Sequence, residues 1–138
     1  DAKIIHMKRD PMAICWSIYK NFFPGNSYSY DQDDTASYFG LYENLMEFWS
    51  NLYPNKIYDF NYENLTSNQE EETRNLLEYC GLDWDKNCLN FHSNHTAVRT
   101  TSAIQVKQEM YQGSSESWKK YEDYLQPLIS GLNYIIKK

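Results

Sequence analysis

The sequence predicts an α/β chain, rich in helix, with about two strands that run parallel. Three observations carry this reading. A short apolar run at residues 4–7 leads straight into a capped amphipathic helix. An alternating run at residues 56–62 leads into a third helix that stops at Gly81. Elsewhere apolar residues recur three and four apart, the period of a helix face.

Taken in order, Ile4-Ile5-His6-Met7 reads as a buried strand. Asp10 is a good N-cap, and Pro11 takes the first helical position, where its missing N–H costs nothing. Met12, Cys15, Ile18, Tyr19, Phe22 and Phe23 make the apolar side of this helix, and Phe23-Pro24-Gly25 ends it. Residues 26–33 read as a polar, tyrosine-rich loop. A longer helix is expected to start at Asp33 or Asp34 and run to about Leu52. Its apolar face is Tyr38, Leu41, Tyr42, Leu45, Trp49 and Leu52, and Pro54-Asn55 breaks it.

Residues 56–62 alternate as a strand does, with Ile57 and Phe60 toward the core. Leu65 and a capping box, Ser67-x-x-Glu70, then open a helix carrying Leu76, Leu77 and Cys80. Gly81 is its left-handed C-cap. Residues 82–113 have no sustained period, with Trp84 expected to pin a short turn or helix to the core. A loop this long inside a compact domain is usually functional or mobile. Residues 114–124 read as a helix with Trp118, Tyr121 and Leu125 along one side. Pro127 interrupts it, and Leu128, Ile129, Leu132, Ile135 and Ile136 form a last amphipathic segment.

Composition excludes several classes. With 138 residues, including 13 Tyr, 4 Trp and 6 Phe, the chain is globular, one domain or part of one. No run approaches the ~18 apolar residues of a membrane span. The chain opens directly in a strand without methionine, the pattern of a processed or truncated protein. A net charge of −6 argues against a nucleic-acid surface. The cations are nevertheless gathered: Lys8, Arg9 and Lys20 in one place, Arg99, Lys107, Lys119 and Lys120 in another. An acidic chain with clustered cations has a local anion to bind. Cys15 reads as an inert buried thiol. Cys80 and Cys88 could pair in an oxidising compartment, with two free thiols the preferred reading. The spacing of the three cysteines, and of His92 and His95, gives no metal site. His6, inside an apolar run, reads as a satisfied core histidine.

The cation cluster at the first strand–helix junction is the strongest local signal. Arg9 sits at the strand's carboxyl end, and Ser17 lies six residues beyond Pro11, a rise of roughly 9 Å. Helical side chains lean toward the N-terminus, so both can reach one anion.

Arg9-Asp10-Pro11 with Ser17 eight positions after the arginine resembles the 3′-phosphate-binding segment of sulfotransferases that use 3′-phosphoadenosine 5′-phosphosulfate (PAPS). Tyr62-Glu63-Asn64-Leu65 resembles the Tyr-Glu-Asp-Leu that follows a strand in that family, with Asn64 in place of Asp. Cys80-Gly81-Leu82-x-Trp84 follows in the family order. Val98-Arg99-Thr100-Thr101-Ser102 and Gln105-Val106-Lys107 resemble the loop of bacterial and tetratricopeptide-linked sulfotransferases, related to the tyrosylprotein-sulfotransferase-like group. Ser114-Ser115 with Trp118-Lys119-Lys120-Tyr121-Glu122 resembles the helix after that loop. Each motif alone is weak, but five in the correct order are strong.

The resemblance implies a P-loop-NTPase-like, three-layer fold with a parallel sheet. This chain would be the helix-rich C-terminal half of that domain, residues 1–138, with about two strands. It implies PAPS as co-substrate, adenosine 3′,5′-bisphosphate as product, and no metal. Arg9 and Ser17 would hold the 3′-phosphate and Tyr62 would lie near the adenine. Arg99, Ser102 and Lys107 would approach the nucleotide from the loop, with Ser102 a transition-state contact. The loop that cradles the 5′-phosphosulfate has no counterpart in these residues, so that loop and the general base are expected in a missing N-terminal half. The chain alone is then expected to be inactive. The acceptor stays open among carbohydrate, peptide, lipid and small molecule, and the compartment is cytoplasmic for a bacterial protein or the Golgi lumen for a eukaryotic one. Two alternatives stand beside this reading. One is a catalytically incomplete nucleotide-binding or helical interaction module. The other is an ATP-using P-loop phosphotransferase, which would need a Gly-Lys-Ser/Thr loop.

Overall fold

The computed structural model describes residues 2–93 and 107–136. Strand β1 (Ile4–Lys8) is followed by α1 (Pro11–Lys20), a short 3₁₀ turn at Ser27–Tyr30, and the long helix α2 (Gln32–Leu52). Strand β2 (Ile57–Asn61) leads into α3 (Tyr62–Ser67) and α4 (Gln69–Cys80). Two 3₁₀ segments, Lys86–Ser93 and Ser114–Tyr124, precede the last helix, α5 (Gln126–Ile136). Arg99 and Ser102 lie outside the described residues. The architecture is a helix-rich α/β arrangement. β1 pairs with β2 in parallel, from Ile4 opposite Ile57 to Lys8 opposite Asn61.

The core is helical. Cys15 of α1, Ala36 and Phe39 of α2, and Leu125, Leu128 and Leu132 at and within α5 form one buried cluster. Burial pushes the Cys15 thiol up to about 12, aided by the nearby Asp10 carboxylate, so it stays protonated and inert. α2 and α5 approach closely because both carry glycine at the crossing. A Cβ on Gly131 would meet the Ala36 Cβ at 2.7 Å. Gln32 joins the same helices at their ends, donating to the Tyr124 carbonyl (2.9 Å) and accepting from the Leu128 N–H (3.3 Å). All three cysteines are free thiols. Among the described residues no helix is long and apolar enough to cross a membrane.

Several expectations change. The first strand forms where predicted but is not buried: Ile4, Ile5 and Met7 are each almost half exposed. A parallel sheet is normally covered on both faces, and among the described residues this one is not. α2 starts earlier than predicted because Asp31 is its cap, accepting from the amides of Asp33 and Asp34. Its packed face is also different. Thr35, Ala36, Phe39 and Gly40 are buried, whereas Leu41, Leu45 and Leu52 are more than half exposed. Small residues allow α5 to come close, and close approach outweighs the size of the side chains on the other face.

The capping box does not form. Tyr62 opens α3, capped by the Asn61 side chain at the Asn64 amide (2.8 Å). The Ser67 hydroxyl turns back to the Glu63 carbonyl instead (2.9 Å). Gly81 does end α4, at φ 72°. Trp84 is half-buried, its ring 3.8 Å from the Arg74 guanidinium, so α4 rather than the core holds it. Residues 114–124 are helical as predicted, in the 3₁₀ form. Pro127, read as an interruption, sits in the first turn of α5, where it removes no hydrogen bond.

Candidate functional site

Because the strands are parallel and in register, both hand over to helices at the same end of the sheet. Asp10 caps α1 by accepting from the Ala13 amide (2.8 Å), and Pro11 lacks an amide to offer. The anion-binding capacity of this corner therefore lies in side chains rather than in the first amides of α1.

Arg9 is the centre of that corner. Its Nε donates to Ser115 Oγ and its Nη2 to Ser114 Oγ, each at 3.1 Å. The guanidinium carbon lies 4.5 Å from the centre of the Tyr62 ring, a cation–π contact. The Tyr62 hydroxyl is 3.1 Å from Ser114 Oγ. Ser115 donates to Glu63 Oε1 at 2.5 Å, and the same oxygen accepts the Asp10 amide at 3.1 Å. Burial alone would raise the Glu63 carboxyl. The Ser115 and backbone hydrogen bonds, with the Arg9 charge, outweigh it and hold the group below its ordinary value.

A cavity of about 310 Å³ opens beside this network, and Arg9, Ser17, Lys20, Tyr62, Trp16 and Ser114 are among its lining residues. Lys20 also places its ammonium 5.8 Å from the Trp16 ring centre. Of the residues singled out in the sequence, Arg9, Ser17 and Tyr62 therefore meet around one cavity, with Lys20 beside them. Lys107 is exposed and does not line it. Lys119 is engaged with Glu116 at 2.8 Å on the surface. Arg99 and Ser102 fall outside the described residues.

Sequence reasoning did not single out Glu63, or the direct bonding of Ser114 and Ser115 to Arg9. The signal available was Glu63 in the first turn of a helix that starts level with the end of β1. A carboxylate there faces the adjacent junction.

A second polar cluster lies further back on the strands. His6 stands opposite Asp59 in the register. Its Nδ1 is 2.7 Å from Asp59 Oδ1, and its Nε2 is hydrogen-bonded to the Tyr42 hydroxyl. Lys8 Nζ lies 3.5 Å from the other Asp59 oxygen. Burial first, then the charges of Glu43 and Asp59, push the Tyr42 hydroxyl above its ordinary value. Both ring nitrogens of His6 thus have a partner, and His6 is the satisfied histidine that the sequence suggested. Among the described residues, no group of three or more His, Cys, Asp or Glu side chains is placed to hold a metal ion.

Comparison with known proteins fits this arrangement. A protein-family model described as "Sulfotransferase family" matches residues 1–86. An uncharacterized protein of Aquifex aeolicus (strain VF5) is 34% identical over 142 residues, covering 100% of this chain and 19% of its own length. The chain thus spans about a fifth of that relative. The family match runs from β1 through α4 and so takes in Arg9, Ser17, Tyr62 and Glu63. On this match, covering well over half its residues, the chain belongs to the sulfotransferase family.

Proposed function

We propose that this chain forms the 3′-phosphate and adenine side of the donor site of a PAPS-dependent sulfotransferase. The observation that carries the reading is that Arg9, Ser17 and Lys20 line one cavity at the end of the strands. Serine hydroxyls and a tyrosine ring already hold Arg9, so its fork is oriented before any ligand arrives. A preorganised fork suits two oxygens of one phosphate. Ser17 adds a neutral donor, and Trp16 and Tyr62 give the same cavity aromatic walls suited to a base. Arg99 and Ser102 join this reading through the family resemblance alone.

Sulfonyl transfer breaks the bond between sulfur and the bridging phosphate oxygen of the donor and forms one between sulfur and the oxygen of a hydroxyl acceptor or the nitrogen of an amine. The acceptor proton goes to a general base, and adenosine 3′,5′-bisphosphate leaves. Catalysis of this kind rests on positioning and charge stabilisation. The contribution of the residues described is donor affinity and recognition of the 3′-phosphate. The 5′-phosphosulfate loop and base belong, in this proposal, to sequence outside these 138 residues. The whole domain would then be a three-layer, P-loop-like sheet in which β1 and β2 are two of the strands.

Calorimetry with adenosine 3′,5′-bisphosphate and with AMP tests the reading. The bisphosphate should bind far more tightly, and Arg9→Ala should erase the difference. Equal affinity for the two in the unaltered protein would overturn it. A preference for ATP over the bisphosphate would favour the phosphotransferase alternative.

A further inference from the structure

We propose that Glu63 is the positioning residue of the Arg9 site, acting through the Ser115 hydroxyl. The inference rests on the donor-site reading above and deepens it. A carboxylate can only accept hydrogen bonds, and a serine hydroxyl has a single proton. The proton of Ser115 therefore points to Glu63 Oε1, 2.5 Å away. The Ser115 oxygen is left to accept, and the donor it faces is Arg9 Nε at 3.1 Å. The chain Arg9 N–H to Ser115 O–H to Glu63 thus has one direction, set by the carboxylate.

The same Glu63 oxygen takes the Asp10 amide. One atom consequently holds the backbone just after Arg9 and, through Ser115, the side chain of Arg9 itself. Glu63 does this without a direct ion pair to the guanidinium. A direct pair would occupy guanidinium N–H groups that the anion needs, whereas a relay through a neutral hydroxyl orients the side chain and leaves its remaining donors unbonded to the carboxylate. Ser114 completes the hold along the same edge, at Nη2, and the Tyr62 ring holds one face. Among the described residues Nη1 has no partner. Its two N–H groups, with the second N–H of Nη2, are the donors that this arrangement leaves for a ligand.

The test separates the carboxylate's geometry from its charge. Glu63→Gln keeps an acceptor oxygen, Glu63→Ala removes it, and Ser115→Ala cuts the relay while leaving Glu63 in place. The first readout is hydrogen exchange at Arg9 Nε in protein labelled with ¹⁵N-arginine, the signal being assigned by its loss in Arg9→Lys. Exchange should stay slow in the unaltered protein and in Glu63→Gln, and quicken about tenfold in the other two. The second is the ratio of affinities for adenosine 3′,5′-bisphosphate and AMP. It should fall about tenfold in Glu63→Ala and Ser115→Ala, with AMP affinity unchanged. Unchanged exchange and an unchanged ratio in Ser115→Ala would overturn the proposal, even if Glu63→Ala fails to fold. If the unaltered protein shows no preference for the 3′-phosphate, the donor-site reading fails. The exchange measurement then decides by itself whether Glu63 positions Arg9.

Discussion

His6 and Arg9 lie three residues apart, one in the middle of β1 and the other just past its end. Each is tied to groups on or after β2. The His6 cluster is closed: one ring nitrogen meets Asp59, the other meets Tyr42, and no donor or acceptor of the ring is left over. The Arg9 cluster is open. Two of its nitrogens are held by serines, a ring supports one face, and the remaining donors stand at the wall of a cavity. The same strand pair thus carries two polar networks with opposite characters. A network that saturates itself serves the fold, since every buried polar group needs a partner. A network that holds a charged group rigid while leaving it unsaturated is built to bind.

This contrast can be broken by experiment. The largest effect belongs to Arg9→Ala. Leaving a bound phosphate without its charged partner costs ~2–5 kcal/mol, so the preference for adenosine 3′,5′-bisphosphate over AMP should fall at least about 30-fold. Its unfolding free energy should change by less than about 1 kcal/mol, as for a partly exposed side chain. A large loss of stability without loss of nucleotide preference would place Arg9 with the structural cluster. His6→Ala should behave in the reverse way. It removes the partner of the part-buried Tyr42 hydroxyl, while the half-exposed Asp59 keeps Lys8, and denaturant unfolding should show a loss of ~1–2 kcal/mol. Nucleotide preference should be untouched, and a parallel fall in both would erase the distinction drawn between the clusters.

Ser17→Ala should have a smaller effect, because one neutral hydrogen bond contributes ~0.5–1.5 kcal/mol. Titration should show the bisphosphate bound about two- to tenfold more weakly and AMP unaffected. An equal weakening for both nucleotides would move Ser17 away from the 3′-phosphate. The smallest effect is a pH dependence. The folded-state Glu63 carboxyl lies below its ordinary value. Its contribution to stability is therefore fully present above the unfolded-state value, roughly pH 4.3, and is lost as pH falls through the lower folded value. The stability difference between the unaltered protein and Glu63→Gln should shrink on acidification below about pH 4. A difference that stays flat there would show that the Ser115 and Asp10 bonds do not depend on the carboxylate's charge.

Much of the strand-end corner was legible in the sequence because its signals are local. An N-cap aspartate followed by proline starts a helix through its nearest neighbours alone. A glycine in the left-handed region stops one in the same way, as Gly81 does. Arg9 and Ser17 could be picked out from their positions relative to those signals, and Tyr62 from the family resemblance. The apolar face of α2 was legible as a pattern but misleading as a packing surface. Leu41 and Leu45 have helical spacing, yet Ala36, Phe39 and Gly40 are the residues that meet the core. Periodicity reports that a face exists, and contact depends on what arrives from elsewhere in the chain.

The sequence by itself determined two strand-to-helix junctions, their parallel order and the family. It also placed an arginine and a serine where one anion could meet both. Tertiary structure decided the rest. It brought Ser115 to Arg9 across 106 residues and Glu63 to Asp10 across 53. It also chose the small-residue face of α2 for burial and closed His6 off with Tyr42. The reason is physical. Caps and turns are settled within a few residues by backbone sterics and local hydrogen bonds. The acceptors that orient Arg9 come from segments whose arrival depends on how α1, α2 and α5 pack around their common core.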